Sequence, residues 1–239
     1  MKMHLVKLAG REEVATGTMA FCFEKPKEFH FKAGQAVTIG LIDPPRGEGQ
    51  SHRIFSLASA PFERTLMVAT RMRESPFKRV LKTLPDGATV ELEGPFGELT
   101  LHEDTMRPAI FIAGGIGITP FMSMLRQAAE DRLPHRLLLI YSNRRPEDAA
   151  FLDELQRLGQ ENKNFRLFAT MTGMRTSARA WDGETSVINA DLVTRVVGDV
   201  STPIYYVVGP PAMVEAVRES LCAVGVREDA IRIEEFFGY

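Results

Sequence analysis

The sequence predicts a β + α/β protein: an N-terminal six-stranded antiparallel barrel followed by a doubly wound parallel sheet with helices on both faces. Three observations predict it. Up to about His102, short apolar runs are separated by proline, glycine and charged clusters with little helical periodicity. From Pro108 onward, apolar strands alternate with helical segments, as in a parallel sheet covered on both faces. The length, 239 residues, exceeds one average domain and falls short of three. The polar connector Glu103-Asp104-Thr105-Met106-Arg107 then separates domains 1–104 and 105–239.

In the first domain the expected strands are Leu5 to Leu8, Val14 to Phe23, Ala36 to Leu41, Arg53 to Ala58, Leu66 to Arg71 and Ala88 to Glu93. Turn chemistry lies between them, including Asp43-Pro44-Pro45-Arg46-Gly47-Glu48-Gly49 and Pro85-Asp86-Gly87. In the second domain they are Ala109 to Ala113, Leu137 to Tyr141, Phe165 to Thr170, Ile204 to Val208 and Ile231 to Glu235. The first helix there takes Thr119 as N-cap and Pro120 in its first turn, with Phe121, Met124, Leu125 and Ala128 facing inward. A second starts at Pro146 and stops at Gly159. The third runs from Asn189 through Val197 and the fourth from Pro211 to Cys222.

Composition excludes several classes. Hydrophobic residues at 44% and charged residues at 25% are those of a globular protein rather than a disordered tail or coiled coil. A formal net charge of -2 gives no overall field toward nucleic acid or an anionic membrane. Two cysteines, Cys22 and Cys222, supply neither a disulfide framework, a zinc site nor an iron–sulfur cluster, so no metal is expected and a reducing cytoplasm is the simplest home. Lys7 and Arg11 break the opening apolar stretch, which is too short for a signal-peptide core. The longest apolar stretch, Ala109 to Leu125, is interrupted by glycines and Pro120, so no membrane insertion is expected.

Several segments could carry chemistry. Ala113-Gly114-Gly115-Ile116-Gly117-Ile118-Thr119-Pro120 lies between a strand and a helix, where glycines admit a phosphate close to the backbone and free N–H groups favour an anion. A plain tight turn has the same composition. Arg53-Ile54-Phe55-Ser56 puts a guanidinium suited to phosphate and an aromatic ring on one strand face and Ser56 on the other, or else forms an ordinary edge strand. Ser75-Pro76 starts a short helix among basic residues from Arg71 to Lys82, as a phosphate seat or a solvated face. Glu93-Gly94-Pro95-Phe96-Gly97 and Val208-Gly209-Pro210-Pro211-Ala212-Met213 are turns by composition.

Taken in order, R-x-F-S-x-x-S, a serine helix start, G-P-F-G, G-G-x-G-I-T-P and G-P-x-x-M resemble the ferredoxin-NADP reductase superfamily over nearly the whole chain. The likeness is greatest to bacterial stand-alone reductases. It implies that Arg53 holds an FAD phosphate, that Phe55 lies against the flavin, where relatives usually have Tyr, and that Ser56 sits near the flavin N5. Ser75 would seat the pyrophosphate, and the backbone of Ala69, Thr70 and Arg71 would border the isoalloxazine and ribityl chain. Gly114, Gly115, Gly117, Thr119 and Pro120 would line the pyridine nucleotide, closed by Val208, Gly209 and Pro210, with Val208 replacing the family's usual cysteine.

The ending Ile233-Glu234-Glu235-Phe236-Phe237-Gly238-Tyr239 resembles the family's acid-and-aromatic terminus beside the flavin. Glu234 and Phe236 are one register and Phe237 another, with Phe236 preferred; Tyr239, the last residue, either reaches back to the flavin or is frayed. Arg144 and Arg145 after the second parallel strand, with Arg175, would accept a 2′-phosphate and favour NADPH over NADH, or else flank a helix as solvated charges.

The resemblance implies a flavoprotein oxidoreductase. NAD(P)H would reduce FAD, and single electrons would pass to an acceptor, for which the basic stretch favours an acidic ferredoxin- or flavodoxin-like carrier. Ser56, Thr119 and Glu234 would position the reacting atoms. The alternatives are reduction of oxygen, a quinone or free flavin with no protein partner, and a nucleotide-binding module without turnover.

Overall fold

The computed structural model describes residues 2–42 and 51–237. The expected Asp43 to Gly49 turn, Gly238 and Tyr239 lie outside them. Strands β1 (Lys2–Ala15), β2 (Thr18–Glu24), β3 (Ala36–Leu41), β4 (His52–Ser56), β5 (Thr65–Arg71) and β6 (Thr89–Phe96) form an antiparallel sheet of order β4-β3-β6-β1-β2-β5. The continuation of β4 meets β5 through the Leu57–Val68 bridge and Ala58 N–H to Met67 O (2.8 Å), joining the two edges into the expected barrel. Val14 to Phe23 is not one strand: Gly17, at φ +65°, turns the chain between β1 and β2.

Period-two alternation builds the barrel core. Val6 and Leu8 point inward while Met3 and Leu5 are exposed, and Phe21, Phe23, Val37, Ile39, Val68, Val90 and Leu92 complete the interior. The short helix α1 (Pro76–Thr83) closes it with Phe77 and Leu81.

Strands β7 (Ala109–Gly114), β8 (Leu137–Asn143), β9 (Phe165–Met171), β10 (Ile204–Gly209) and β11 (Ile231–Glu235) form a parallel sheet of order β11-β10-β7-β8-β9. The order reverses between β7 and β10, so the crevice of a doubly wound sheet falls at their C-terminal ends. Helices α2 (Thr119–Glu130), α3 (Leu152–Glu161), α4 (Ala190–Val197) and α5 (Pro211–Ala223) make the connections. On one face Leu192, Val193, Val196, Val214, Val217 and Leu221 of α4 and α5 cover Ile110, Ile112, Leu138, Ile140 and Val207. On the other, Tyr141 donates to Ala150 O (3.1 Å) in the approach to α3.

Three helix expectations need correction. Thr119 is the first residue of α2 rather than its cap, because the 3-10 turn Gly115–Ile118 runs directly into the helix. Pro146–Asp148 is a separate 3-10 turn, and the chain passes through a left-handed Phe151 (φ +60°) before α3 begins. Gly159 lies inside α3, which continues to Glu161. Asn189 does cap α4, its side chain accepting Leu192 N–H (2.9 Å).

The chain divides into two compact units, Met1–Thr100 with Thr119–Gln127, and Leu101–Ile118 with Ala128–Tyr239. Within the first, Arg126 fastens α2 to the barrel by donating to Ala58 O (3.0 Å) and pairing with Glu63 (3.6 Å). No helix of the described residues is long and apolar enough to cross a membrane.

Candidate functional site

In the barrel unit the conspicuous feature is the start of α1. Ser75 occupies its N-cap position, yet its Oγ caps nothing and is buried without a hydrogen-bond partner among the described residues. The first N–H groups of a helix have no partners within it, and Pro76 removes one of them. Positive charge gathers at this start. Lys78 has its pKa lowered, first by burial and then by the neighbouring Arg73 and Arg53 guanidinium groups. Its Nζ donates to Arg71 O (2.8 Å). An orphaned hydroxyl, free helix N–H groups and three cations together fit a pyrophosphate.

Arg53 lies over the Phe77 ring (5.9 Å to the centroid) and borders a groove of about 590 Å³ shared with Thr38, Ser51, His52 and Ile54. Phe55 is 9% exposed and packs against Phe77 (centroids 6.0 Å apart), so most of its ring belongs to the barrel core. Ser56 is buried at the end of β4. Ala69, Thr70 and Arg71 continue β5 beyond the Leu57–Val68 bridge, paired with β2 on one side only. The barrel unit therefore brings Arg53, Ser56, Ala69, Thr70, Arg71 and Ser75 around the end of β4 and the start of α1.

In the parallel-sheet unit the expected glycines meet at the strand-order reversal. Gly115 adopts φ +54°, which glycine tolerates, and the turn carries Gly117 against β10. A Cβ on Gly117 would lie 2.3 Å from Val208 O; one on Gly114 would lie 2.2 Å from Met213 Sδ. Met213 also limits Gly209, so the thioether spaces the two loops. Its role went unrecognised in the sequence although it is the last letter of G-P-x-x-M; only packing shows what it touches. The result is two backbone loops, Gly114 to Ile118 and Gly209-Pro210, held together by close glycine contacts, a cradle that side chains would fill. Thr119 is buried, and Pro120 follows in the first turn of α2.

Val208 is fully buried in β10, between Ala113 and Glu234 of the flanking strands. Glu234 is partly buried, and desolvation raises its carboxyl above the usual range. Phe236 N–H donates to Gly209 O (2.9 Å), tying the terminal segment to the Gly-Pro turn, whereas Phe237 is 75% exposed.

The two arginines after β8 separate. Arg145 forms a two-pronged pair with Asp148 (2.7 and 2.8 Å), donates to Thr176 O (3.3 Å) and lies 3.6 Å from Glu147. Its guanidinium is thus engaged by the acids of the following turn while staying partly exposed. Arg144 and Arg175 are exposed, and Gly173 N–H to Arg144 O (2.7 Å) brings their segments side by side.

A buried polar network that sequence reading missed lies in the same unit. Tyr206 Oη accepts His102 N–H (2.9 Å) and Arg232 Nη1 (3.3 Å) and contacts His102 Nδ1 (2.8 Å). His102 Nε2 donates to Arg107 O (3.0 Å), and His135 Nε2 donates to His102 O (2.9 Å). No short motif signals it, because its members are scattered from residue 102 to residue 232.

Fold and sites together define a two-unit architecture, a barrel with a helix start among cations and a doubly wound sheet with a glycine cradle. Residues 111–219 match the family model for the oxidoreductase NAD-binding domain. The chain is similar to ferredoxin-NADP reductase-like oxidoreductases. It is 30% identical over 89% of its length to the reductase component of propane 2-monooxygenase from Rhodococcus jostii, covering 57% of that relative. It is 29% identical to ferredoxin–NADP reductase B of Sorangium cellulosum, covering 88% of this chain and 87% of that one. The first curated relatives are longer, and the chain spans about three fifths of their length. The fold is shared with a Neisseria gonorrhoeae ferredoxin NADP+ reductase solved with FAD and NADP (TM-score 0.83, 24% identity, 99% of this chain and all of that one).

Proposed function

We propose that the protein is an FAD-dependent NAD(P)H oxidoreductase that passes electrons to a carrier protein, with an FAD-binding domain at 1–104 and an NAD(P)-binding domain at 105–239. The observation that carries this is a phosphate seat in each unit: the uncapped α1 start with its unpartnered Ser75 hydroxyl, and the glycine cradle at the β7/β10 reversal.

In this reading Arg53, Ser75 and the α1 N–H groups bind the FAD pyrophosphate, and Ala69, Thr70 and Arg71 border its ribityl chain. Phe55 lies against the flavin, and the Ser56 hydroxyl faces its N5. Gly114, Gly115, Gly117, Thr119, Pro120, Val208, Gly209 and Pro210 hold the pyridine nucleotide. Phe236 covers the reacting rings, and Glu234 orients them as a weakly acidic carboxyl. Bound FAD supplies the redox chemistry, taking a hydride and releasing single electrons. The protein's part is to anchor phosphates, orient the rings and exclude water.

Exposed Arg144 and Arg175 favour NADPH over NADH. Exposed Arg73, Arg79 and Lys82 beside α1 suit an acidic carrier such as a ferredoxin or flavodoxin. Two unpaired cysteines suit the cytoplasm. The test is anaerobic rapid mixing of FAD-loaded protein with NADPH. Near-stoichiometric bleaching of the yellow band supports the reading, and none with either NADPH or NADH rejects it.

A further inference from the structure

We infer that Met213 is an oxidation-sensitive residue of the glycine cradle: hydrogen peroxide converts its thioether to the sulfoxide, and pyridine-nucleotide binding weakens. The inference rests on the dinucleotide reading above. Met213 lies in the first turn of α5, where its N–H donates to Pro210 O (2.9 Å) and fixes its main chain. Its side chain reaches across to both loops. A Cβ on Gly114 would lie 2.2 Å from Met213 Sδ and 3.3 Å from its Cε, and one on Gly209 would lie 3.1 Å from Sδ. The sulfur is therefore already in contact with two glycine main chains, one ending β7 and one ending β10, at the strand-order reversal.

The same side chain is only partly buried, so a small oxidant reaches it. Met124 also crowds a glycine, Gly34, but is 1% exposed. Met122 and Met171 are fully buried. Met3 and Met106 are 61% and 80% exposed and oxidise readily, but they lie on the outer face of β1 and in the connector before β7. Met213 combines access with a tight contact at a ligand cradle.

Peroxide alone balances the step. A sulfur lone pair attacks one peroxide oxygen, the O–O bond breaks, and the thioether becomes a sulfoxide while the peroxide is reduced to water. The proposed reaction is itself a source of peroxide, because reduced flavin that meets dioxygen gives it two electrons and two protons and is oxidised. The product side chain is larger and polar. An oxygen on the buried side of the sulfur has no room against Gly114 and Gly209, so the side chain leaves its place or the loops part. An oxygen on the open side puts the negative end of a dipole where a diphosphate is to lie between the loops. Both arrangements oppose the nucleotide, so accumulating peroxide slows its own source.

The experiment treats the FAD-loaded protein with hydrogen peroxide and then with dithiothreitol, which returns oxidised Cys22 and Cys222 to thiols. Along the time course, peptide mass spectrometry reads sulfoxide at each methionine and calorimetry reads NADP+ affinity. The expected result is NADP+ bound about tenfold more weakly, in step with sulfoxide at Met213 rather than at Met3 or Met106, and restored by the two methionine sulfoxide reductases. Met213→Leu, compared with itself before and after peroxide, should show no loss. Affinity that holds while Met213 is oxidised overturns the inference. So does a Met213 that stays a thioether after Met3 and Met106 are converted, or an equal loss in the leucine variant. If that variant folds or binds poorly, the wild-type time course and its repair decide alone. Untreated protein that binds no NADP+ rejects the dinucleotide reading itself, a failure separable from that of Met213.

Discussion

Gly117 stands so close to Val208 that a Cβ would come within 2.3 Å of the Val208 carbonyl oxygen and 3.0 Å of Gly209 N. Both are backbone atoms of a buried strand and cannot move aside. Gly114 is equally crowded, but by the thioether of Met213, which can rotate away.

Gly117→Ala is therefore predicted to destabilise the protein by about 3 kcal/mol or more and to abolish pyridine-nucleotide binding, whereas Gly114→Ala costs about 1–2 kcal/mol. Thermal unfolding and an NADP+ titration of both variants check this. Equal effects would show that backbone rigidity at Val208 is not what separates them.

Ser75→Ala removes a hydroxyl that bonds nothing among the described residues. Stability of the flavin-free protein should change by less than about 0.5 kcal/mol, while FAD affinity falls about tenfold. Equilibrium dialysis against FAD reads the second quantity, and an unchanged affinity would remove Ser75 from the pyrophosphate seat.

Arg144→Leu is predicted to lower the NADPH-to-NADH preference about tenfold in kcat/KM. Arg145→Leu should leave that ratio within about twofold and act on stability instead, because Asp148 and Glu147 hold Arg145. Steady-state kinetics with both nucleotides distinguishes them, and a larger change at position 145 would contradict the separation seen here.

His102 gives the protein an acid-side sensitivity. Its Nε2 carries the proton donated to Arg107 O, leaving Nδ1 to accept from the Tyr206 hydroxyl. Burial lowers its pKa, only partly opposed by the bond to Arg107 O. A depressed histidine pKa means that the unfolded chain binds more protons once pH falls below about 6.5, so stability is full above that pH and declines toward the lowered folded value. Thermal unfolding from pH 8 to pH 5 should show this slope, and Tyr206→Phe should lower stability by about 1–3 kcal/mol at pH 8. A flat profile would mean that His102 does not titrate in this range.

The strands were legible because alternation and run length report burial directly: Ala36–Leu41 and Ile231–Glu235 occur where the apolar pattern puts them. The glycine turn was legible because its residues are contiguous. Helix starts were less so. Pro146 with its two acids carries a helix-start pattern, but Arg145 pulls Asp148 into a 3-10 turn and the helix waits until Leu152. That Phe55 packs on Phe77 and is only 9% exposed was not legible either, because Phe77 lies 22 residues further along the chain.

By itself the sequence determined the two kinds of sheet, their strands and the order of the phosphate-binding segments, since periodicity and turn chemistry are local. Only the tertiary structure decided which charges are already engaged, as at Arg145, which polar groups are left wanting, as at Ser75, and which glycines are irreplaceable, as at Gly117. Those depend on atoms distant in the chain brought within a few ångströms, where hydrogen bonds and steric contact act.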